Sequence, residues 1–231
     1  MFRIFGPPGT GKTTTLLNMV DEALAAGTHP HRISFLAFTR KAANEAKERA
    51  AARFGLDAKK DLVHFRTLHS LALTMTDIRP EQVMQEINYR ELSKKIGISL
   101  GGSKNTNFDD DMPSMVSSND PILGLINLAR LRKVNLRDQY NISNLEDDWN
   151  TVNYVDKCFR EYKEKLGLYD FTDMLAQFVS GKNTYCPEFD LCFLDEAQDL
   201  SPLQWDIAHI LDENSKRMYC AGDDDQAIYR W

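Results

Sequence analysis

With 231 residues, 42% of them hydrophobic and 27% charged, the chain has the make-up of a folded globular protein and room for one large domain or a domain with an insertion. Its net charge of −6 argues against wholesale electrostatic capture of nucleic acid but leaves room for a local basic groove. No apolar run reaches the roughly 20 residues that cross a bilayer, and the first residues lack a signal-peptide pattern, so no membrane partner is expected and the expected location is the cytoplasm, or a host's cytoplasm were the protein viral.

FRIF (2–5) reads as a short buried strand that runs straight into a glycine-rich loop. TTTLLNMVDEALAAG follows as a helix, with Leu16, Leu17, Val20 and Leu24 at helical spacing and Gly27 as its stop. RISFLAF (32–38) is a second buried strand, RKAANEAKERAAARFG an alanine-rich helix ending at Gly55, and LVHF (62–65) a third strand before the helix of TLHSLAL. From about Asp77 to Leu166 the character changes. PEQVMQEINYRELSKKIG, PILGLINLARLRKV and NTVNYVDKCFREYKEKLG read as helices, and the long acidic stretch SLGGSKNTNFDDDMPSMVSSND reads as a loop. After this all-helical insertion come the strands FDLCFLDE and KRMYCAGD, with SPLQWDIAHILDEN as the helix between them. Strands alternating with helices imply a parallel sheet covered on both faces, whose ligands bind beyond the carboxyl ends of the strands. Two basic clusters, Arg40–Arg53 and Arg130–Arg137, each read in isolation as a solvated helix face, and four scattered cysteines without a CxxC pair read as reduced thiols.

The motifs fall at those strand ends. GPPGTGKT (6–13) fits GxxxxGK[ST] in full: Gly6, Gly9 and Gly11 let the backbone turn so that N–H groups face phosphate oxygens, and Pro7, Pro8 and Thr10 complete the loop. Lys12 is expected to reach the β- and γ-phosphates and Thr13 to place its hydroxyl on Mg²⁺. Asp195, delivered by an apolar strand, is the expected second Mg²⁺ ligand, and Glu196 the group that polarises an attacking water. Gln226, past the last strand, is placed to sense a γ-phosphate, and Tyr229 and Trp231 are candidates for stacking on bases. The reaction class is phosphoryl transfer from a nucleoside triphosphate to water, with Lys12, Glu196 and Gln226 as its catalytic candidates.

In order along the chain, GPPGTGKT, FLAFTRKAANEAKERA, TLHS, LYDFTDML, LDEAQDLSPLQW and GDDDQAIYRW resemble the motifs of the UvrD/Rep/PcrA group of superfamily 1 DNA helicases. The resemblance implies a RecA-like P-loop NTPase core over 1–76 and 167–231 with a helical insertion, like the family's 1B subdomain, over 77–166. It implies ATP and Mg²⁺ as cofactors and 3′→5′ translocation on single-stranded or 3′-tailed DNA. By the same resemblance Gln198 and Gln226 couple the nucleotide to domain movement, and Thr14 belongs to the nucleotide-binding stretch, where many relatives place an arginine. Phe38, Thr39 and Arg40, then Thr67 and His69, match DNA-contacting segments, and Trp231 the base-stacking tryptophan. Arg40 stands where many relatives have asparagine. The family's adenine-reading segment precedes the P-loop and its second motor domain follows, so these residues are expected to bind ATP mainly through its phosphates, to need a second motor domain as partner, and not to unwind duplex DNA unaided. The alternative reading is a truncated or remnant module that binds nucleotide or single-stranded DNA with little turnover.

Overall fold

The computed structural model describes residues 1–7, 9–100, 120–182 and 184–223. Its centre is a parallel sheet of five strands: β1 (Phe2–Phe5), β2 (Ile33–Ala37), β3 (Phe65–Thr67), β4 (Phe189–Leu194) and β5 (Ser215–Gly222), in the order β1-β5-β4-β2-β3. β2 is buried along its whole length because helices cover both sides. Alternation divides its side chains. Ile33 and Phe35, with Phe65 and Phe193, meet α1 (Lys12–Ala25) and α2 (Arg40–Phe54) through Leu16, Val20, Ala43, Ala46 and Ala50. Leu36, with Phe189 and Leu194, meets α3 (Leu68–Met75), α8 (Phe171–Ser180) and α9 (Pro202–Glu213) through Leu71, Leu175, Phe178, Ile207 and Leu211. The alanines on the buried stripe of α2 let that helix lie close to the sheet.

α4 (Glu86–Ile96), α5 (Pro121–Arg132), α6 (Leu136–Asn141) and α7 (Trp149–Leu166) enclose a separate core built on Leu92, Ile122, Leu123, Ile126, Val152, Val155 and Phe159. This helical unit is stitched to the sheet-bearing unit where its two ends cross. Met84 donates its N–H to the Tyr169 carbonyl at 2.8 Å, and Tyr169 donates its own to Gln82 at 2.8 Å. Beneath that crossing lies a charge network of four side chains. Arg130 on α5 bonds Asp170 at 2.7 Å and also Asp173, while Lys163 on α7 reaches Asp170 at 2.5 Å and Asp173 at 2.6 Å. Asp170 also caps α8, accepting the Asp173 N–H at 2.7 Å. The last turn of α5 goes further, since Leu131 packs in the core of the sheet-bearing unit and Lys133 pairs with Asp206 at 2.5 Å.

Five details differ from the sequence reading. β1 is not buried: it is the outermost strand among the described residues, and Phe2 and Phe5 are 55% and 56% exposed. β3 lies at 65–67 and not 62–65, because Leu62 sits in a turn whose carbonyl accepts the Phe65 N–H while its side chain fills the core. The expected helix from Pro80 breaks into a 3-10 turn, Pro80–Gln82, and α4, because Val83 pairs with Tyr169 and is drawn extended. α6 and α8 were not anticipated. The second basic cluster is only in part a solvated face: Arg130 and Arg132 are part-buried, Arg130 being paired as above and Arg132 donating to Gln139 at 2.9 Å, while Lys133 and Arg137 are exposed, the first paired with Asp206 and the second lying over the Trp149 ring. The four cysteines are free thiols, Cys192 and Cys220 being buried. No helix among the described residues is long and apolar enough to cross a membrane.

Candidate nucleotide and nucleic-acid site

Parallel strands bring all five carboxyl ends to one edge of the sheet, and the candidate residues gather there. β1 delivers the loop that precedes α1. Gly9 and Gly11 hold φ of 74° and 80°, which a side chain would oppose, and Gly11 is the residue from which α1 starts. A Cβ on Gly6 would stand 2.8 Å from Thr10 Oγ1, whose hydroxyl donates to the Pro7 carbonyl at 2.7 Å, so the loop closes on itself. α1 has neither a side-chain cap nor an acid in its first turn. Its first N–H groups and its dipole are left for an anion. Lys12 curls over the loop and donates to the carbonyls of Gly6 at 2.6 Å and Pro7 at 3.2 Å.

β4 delivers Asp195, whose N–H continues the ladder by donating to Leu36 at 2.9 Å. Thr13 donates its hydroxyl to Asp195 Oδ2 at 2.7 Å, so the first turn of α1 and the end of β4 meet across the sheet edge. Burial pushes the Asp195 carboxyl above the ordinary carboxylate range; the Thr13 hydrogen bond pulls it back, and the neighbouring Glu196 pushes it up again. A buried carboxylate so placed favours a cation beside it. Two hard oxygens, from a hydroxyl and a carboxylate, suit Mg²⁺, which takes few protein ligands and completes its shell with water and phosphate.

Glu196 stands in the left-handed region, φ 55° and ψ 43°, a conformation shared among the described non-glycine residues only by Lys133. It turns the chain directly after β4. Its carboxylate is held by Gln198, which donates from Nε2 to Glu196 Oε2 at 2.5 Å and accepts the Asp223 N–H on Oε1 at 3.0 Å. Gln198 therefore ties Glu196 to the exit of β5. The close passage explains Gly222, where a Cβ would stand 3.1 Å from Gln198 Oε1 and 3.2 Å from its backbone nitrogen. The sequence offered Gln198 only as a coupling residue by resemblance; nothing in it disclosed the bridge or the strained turn.

Of the residues expected to meet DNA, Phe38, Thr39, Arg40 and Thr67 lie along the same edge. Phe38 follows β2 and packs partly buried on the core. Thr39 caps α2, accepting the Ala42 N–H at 3.2 Å, and Arg40 opens that helix. Thr67 ends β3 and caps α3, accepting the Ser70 N–H at 3.3 Å. His69 is interior, edge-on to Phe171, and its buried Nε2 has no hydrogen-bond partner among the described residues. Burial holds it near pKa 4, so it is a neutral ring at neutral pH. Thr14 lies on the first turn of α1. Pro8, Gln226, Tyr229 and Trp231, and most of the long acidic loop, lie outside the described residues.

A family model described as the UvrD/REP helicase N-terminal domain matches residues 2–231. The ATP-dependent DNA helicase PcrA of Leuconostoc citreum is 27% identical over 238 residues, which cover 99% of this chain and 31% of that protein. PcrA of Bacillus subtilis (strain 168) is 27% identical over 239 residues, 96% of this chain and 31% of its own length. The ATP-dependent DNA helicase Rep of Escherichia coli (strain K12) is 24% identical over 246 residues, 96% of this chain and 34% of its own length. The chain thus spans about a third of the length of these relatives.

Proposed function

The chain belongs to the UvrD/REP helicase N-terminal domain family, and from that premise we propose that it is the ATP-binding first motor domain of a DNA-dependent ATPase that moves 3′→5′ along single-stranded DNA. One observation carries the reading: the 2.7 Å contact of Thr13 with Asp195, which joins the phosphate loop to the acid pair at one edge of the sheet. Residues 6–14 receive the triphosphate. The loop N–H groups and the uncapped start of α1 offer hydrogen bonds, and Lys12 exchanges the Gly6 and Pro7 carbonyls for phosphate oxygens. Thr13 and Asp195 would hold Mg²⁺, which when bound neutralises charge on the phosphates. Glu196 accepts the proton of the attacking water, and Gln198 fixes where its carboxylate points. Gln226 is proposed as the γ-phosphate sensor. Single-stranded DNA crosses past Phe38, Thr39, Arg40, Thr67 and His69 toward Tyr229 and Trp231. The nucleotide-binding unit comprises 1–76 and 167–231, with 77–166 as the inserted helical unit, and a second motor domain faces the first across the nucleotide.

Titration of a fluorescent ATP analogue with Mg²⁺, followed by turnover measurements with and without single-stranded DNA, tests the assignment. Lys12→Ala is expected to weaken triphosphate binding at least tenfold, about 1.4 kcal/mol. Glu196→Gln is expected to bind as the parent does and to lose turnover in a protein that includes the second motor domain. Unchanged affinity in Lys12→Ala removes the phosphate-loop assignment. Tight binding with no DNA-stimulated turnover in any longer form of the protein favours a binding module.

A further inference from the structure

Arg49 and Arg53, one turn apart on α2, both reach toward α1. Arg49 donates from Nη2 to Asp21 Oδ2 at 2.9 Å and to Asn18 Oδ1 at 2.8 Å, and Arg53 donates from Nη1 to the same Asp21 oxygen. Asp21 is 3% exposed, whereas both arginine side chains reach solvent. Asn18 and Asp21 are themselves one turn apart, so the contact spans a turn of each helix. Elsewhere the two helices share an apolar core, in which α2 offers Ala43, Ala46 and Ala50 to Leu16, Leu17, Val20 and Ala23. Alanine presents one methyl. A row of alanines makes a shallow ridge that lets helices approach but hardly resists sliding along the axis. Directional bonds do resist it: a slide of one residue, about 1.5 Å, breaks all three.

A buried carboxylate is a costly way to hold two helices together, since a well-packed apolar side chain does so as strongly. What the charge adds is register, the best-attested use of buried polar pairs. That register bears on what lies at the other ends. α1 and α2 both start at the carboxyl edge of the sheet and run down the same face, α1 from the phosphate loop at Lys12 and α2 from the Thr39–Arg40 turn. Asp21 lies nine residues past Lys12 and Arg49 nine past Arg40, so the two arms are equal, about 14 Å at 1.5 Å per residue. Lys12 has to leave the Gly6 and Pro7 carbonyls to meet a triphosphate, and the loop and first turn of α1 adjust with it. A helix clasped to α1 follows that adjustment; one resting on alanine methyls need not.

We propose that Asp21, acting through Arg49 and Arg53, is a positioning residue: the clasp fixes the axial register of α2 against α1 and carries adjustments of the phosphate loop to the Thr39–Arg40 turn. The clasp presupposes the nucleotide and DNA reading above and adds a link between the two sites that touches neither ligand. Two titrations of the 231-residue chain test it. One measures affinity for a fluorescent, non-hydrolysable ATP analogue with Mg²⁺, with and without saturating single-stranded oligonucleotide. The other measures anisotropy of a labelled oligonucleotide with and without the analogue. In the parent each ligand is expected to shift the other's affinity about fivefold or more, by the same factor in both directions. Asp21→Leu keeps the two helices packed through an apolar side chain and removes every bond to the carboxylate. It should bind each ligand alone within about twofold of the parent and bring the mutual shift below about twofold. Arg49→Gln, in which Arg53 still covers the Asp21 charge, should fold and bring the shift below about threefold. Ile207→Val, a core truncation on the opposite face of the sheet, should keep the parent's shift. A parent that binds both ligands independently overturns the clasp and leaves the functional reading intact. So does the parent's full shift in Asp21→Leu, or in Arg49→Gln should Asp21→Leu not fold, and so does an equal loss of the shift in Ile207→Val. A parent that fails to bind one of the two ligands overturns the functional reading along with the clasp.

Discussion

Arg130→Met would remove a cation from the charge network at the junction of the helical and sheet-bearing units while keeping a flexible side chain. Asp170, 2% exposed, would be left with Lys163 alone, and Lys163 must also serve Asp173. Burial by itself would push Asp170 up; Arg130 and then Lys163 reverse this and hold it at about 2, against an ordinary 3.8. At about 1.4 kcal/mol per unit, that depression corresponds to about 2 kcal/mol of stabilisation at neutral pH. The native state then binds fewer protons than the unfolded chain, so the stabilisation is complete above the ordinary carboxylate range and is lost as pH falls through about 2. Breaking one partner out of a buried pair costs about 3–5 kcal/mol, and the part-exposed Arg130 places this case at the low end. Urea unfolding is therefore expected to show a loss of about 3 kcal/mol near neutral pH and a clearly smaller loss near pH 3, with unchanged dependence on denaturant. An equal loss at both pH values, or no loss near neutrality, would refute the electrostatic account and reduce the network to packing.

Three further expectations concern the site and its supports. Gly222→Ala drives a methyl against Gln198 Oε1 and its backbone nitrogen, an overpacking of about 1–3 kcal/mol. Turnover in the longer protein should fall more than nucleotide affinity, and the stability cost should be smaller in a Gln198→Ala background; strict additivity of the two changes would mean they do not touch. Asp195→Asn should raise the Mg²⁺ concentration needed for half-maximal nucleotide binding, whereas Glu196→Gln should not, and equal shifts would erase the distinction between ligand and base. Ser201→Ala removes the cap of α9 and strips a partner from buried Gln204, costing about 1–2 kcal/mol; a melting temperature equal to the parent's would show that the capping box contributes nothing.

The sequence disclosed elements where a single local rule decides. Apolar runs bounded by glycine and polar residues marked β2, β4 and β5, and Gly55 stopped α2 in the left-handed conformation that glycine favours. It misplaced elements that another part of the chain decides. β1 was read as buried from its composition, but burial is set by its place at the margin of the sheet. Val83 is pulled out of a helix by Tyr169, 86 positions away in sequence numbering and therefore invisible to a local window. At the site, placement at strand ends was enough to expect Thr13 and Asp195 near one another, and they meet at 2.7 Å, because the fold brings the strand ends to one edge. Spacing could not reveal that Glu196 occupies a left-handed turn, that Gln198 spans from it to Asp223, or that Arg49 and Arg53 of α2 are drawn to Asp21 of α1.

β1 has a consequence for how the isolated domain behaves in a tube. Its outer rim offers unpaired backbone groups among the described residues, flanked by two phenyl rings in water, and only Arg3 interrupts the apolar run. Such a rim templates the addition of another extended segment. Solubility should accordingly depend on concentration more steeply than the net charge of −6 foretells. Phe2→Lys, which touches neither the phosphate loop nor the acid pair, should improve it, read as a lower light-scattering signal at matched concentration. A preparation that stays monodisperse in its unaltered form would mean that four residues are too short a template to seed association.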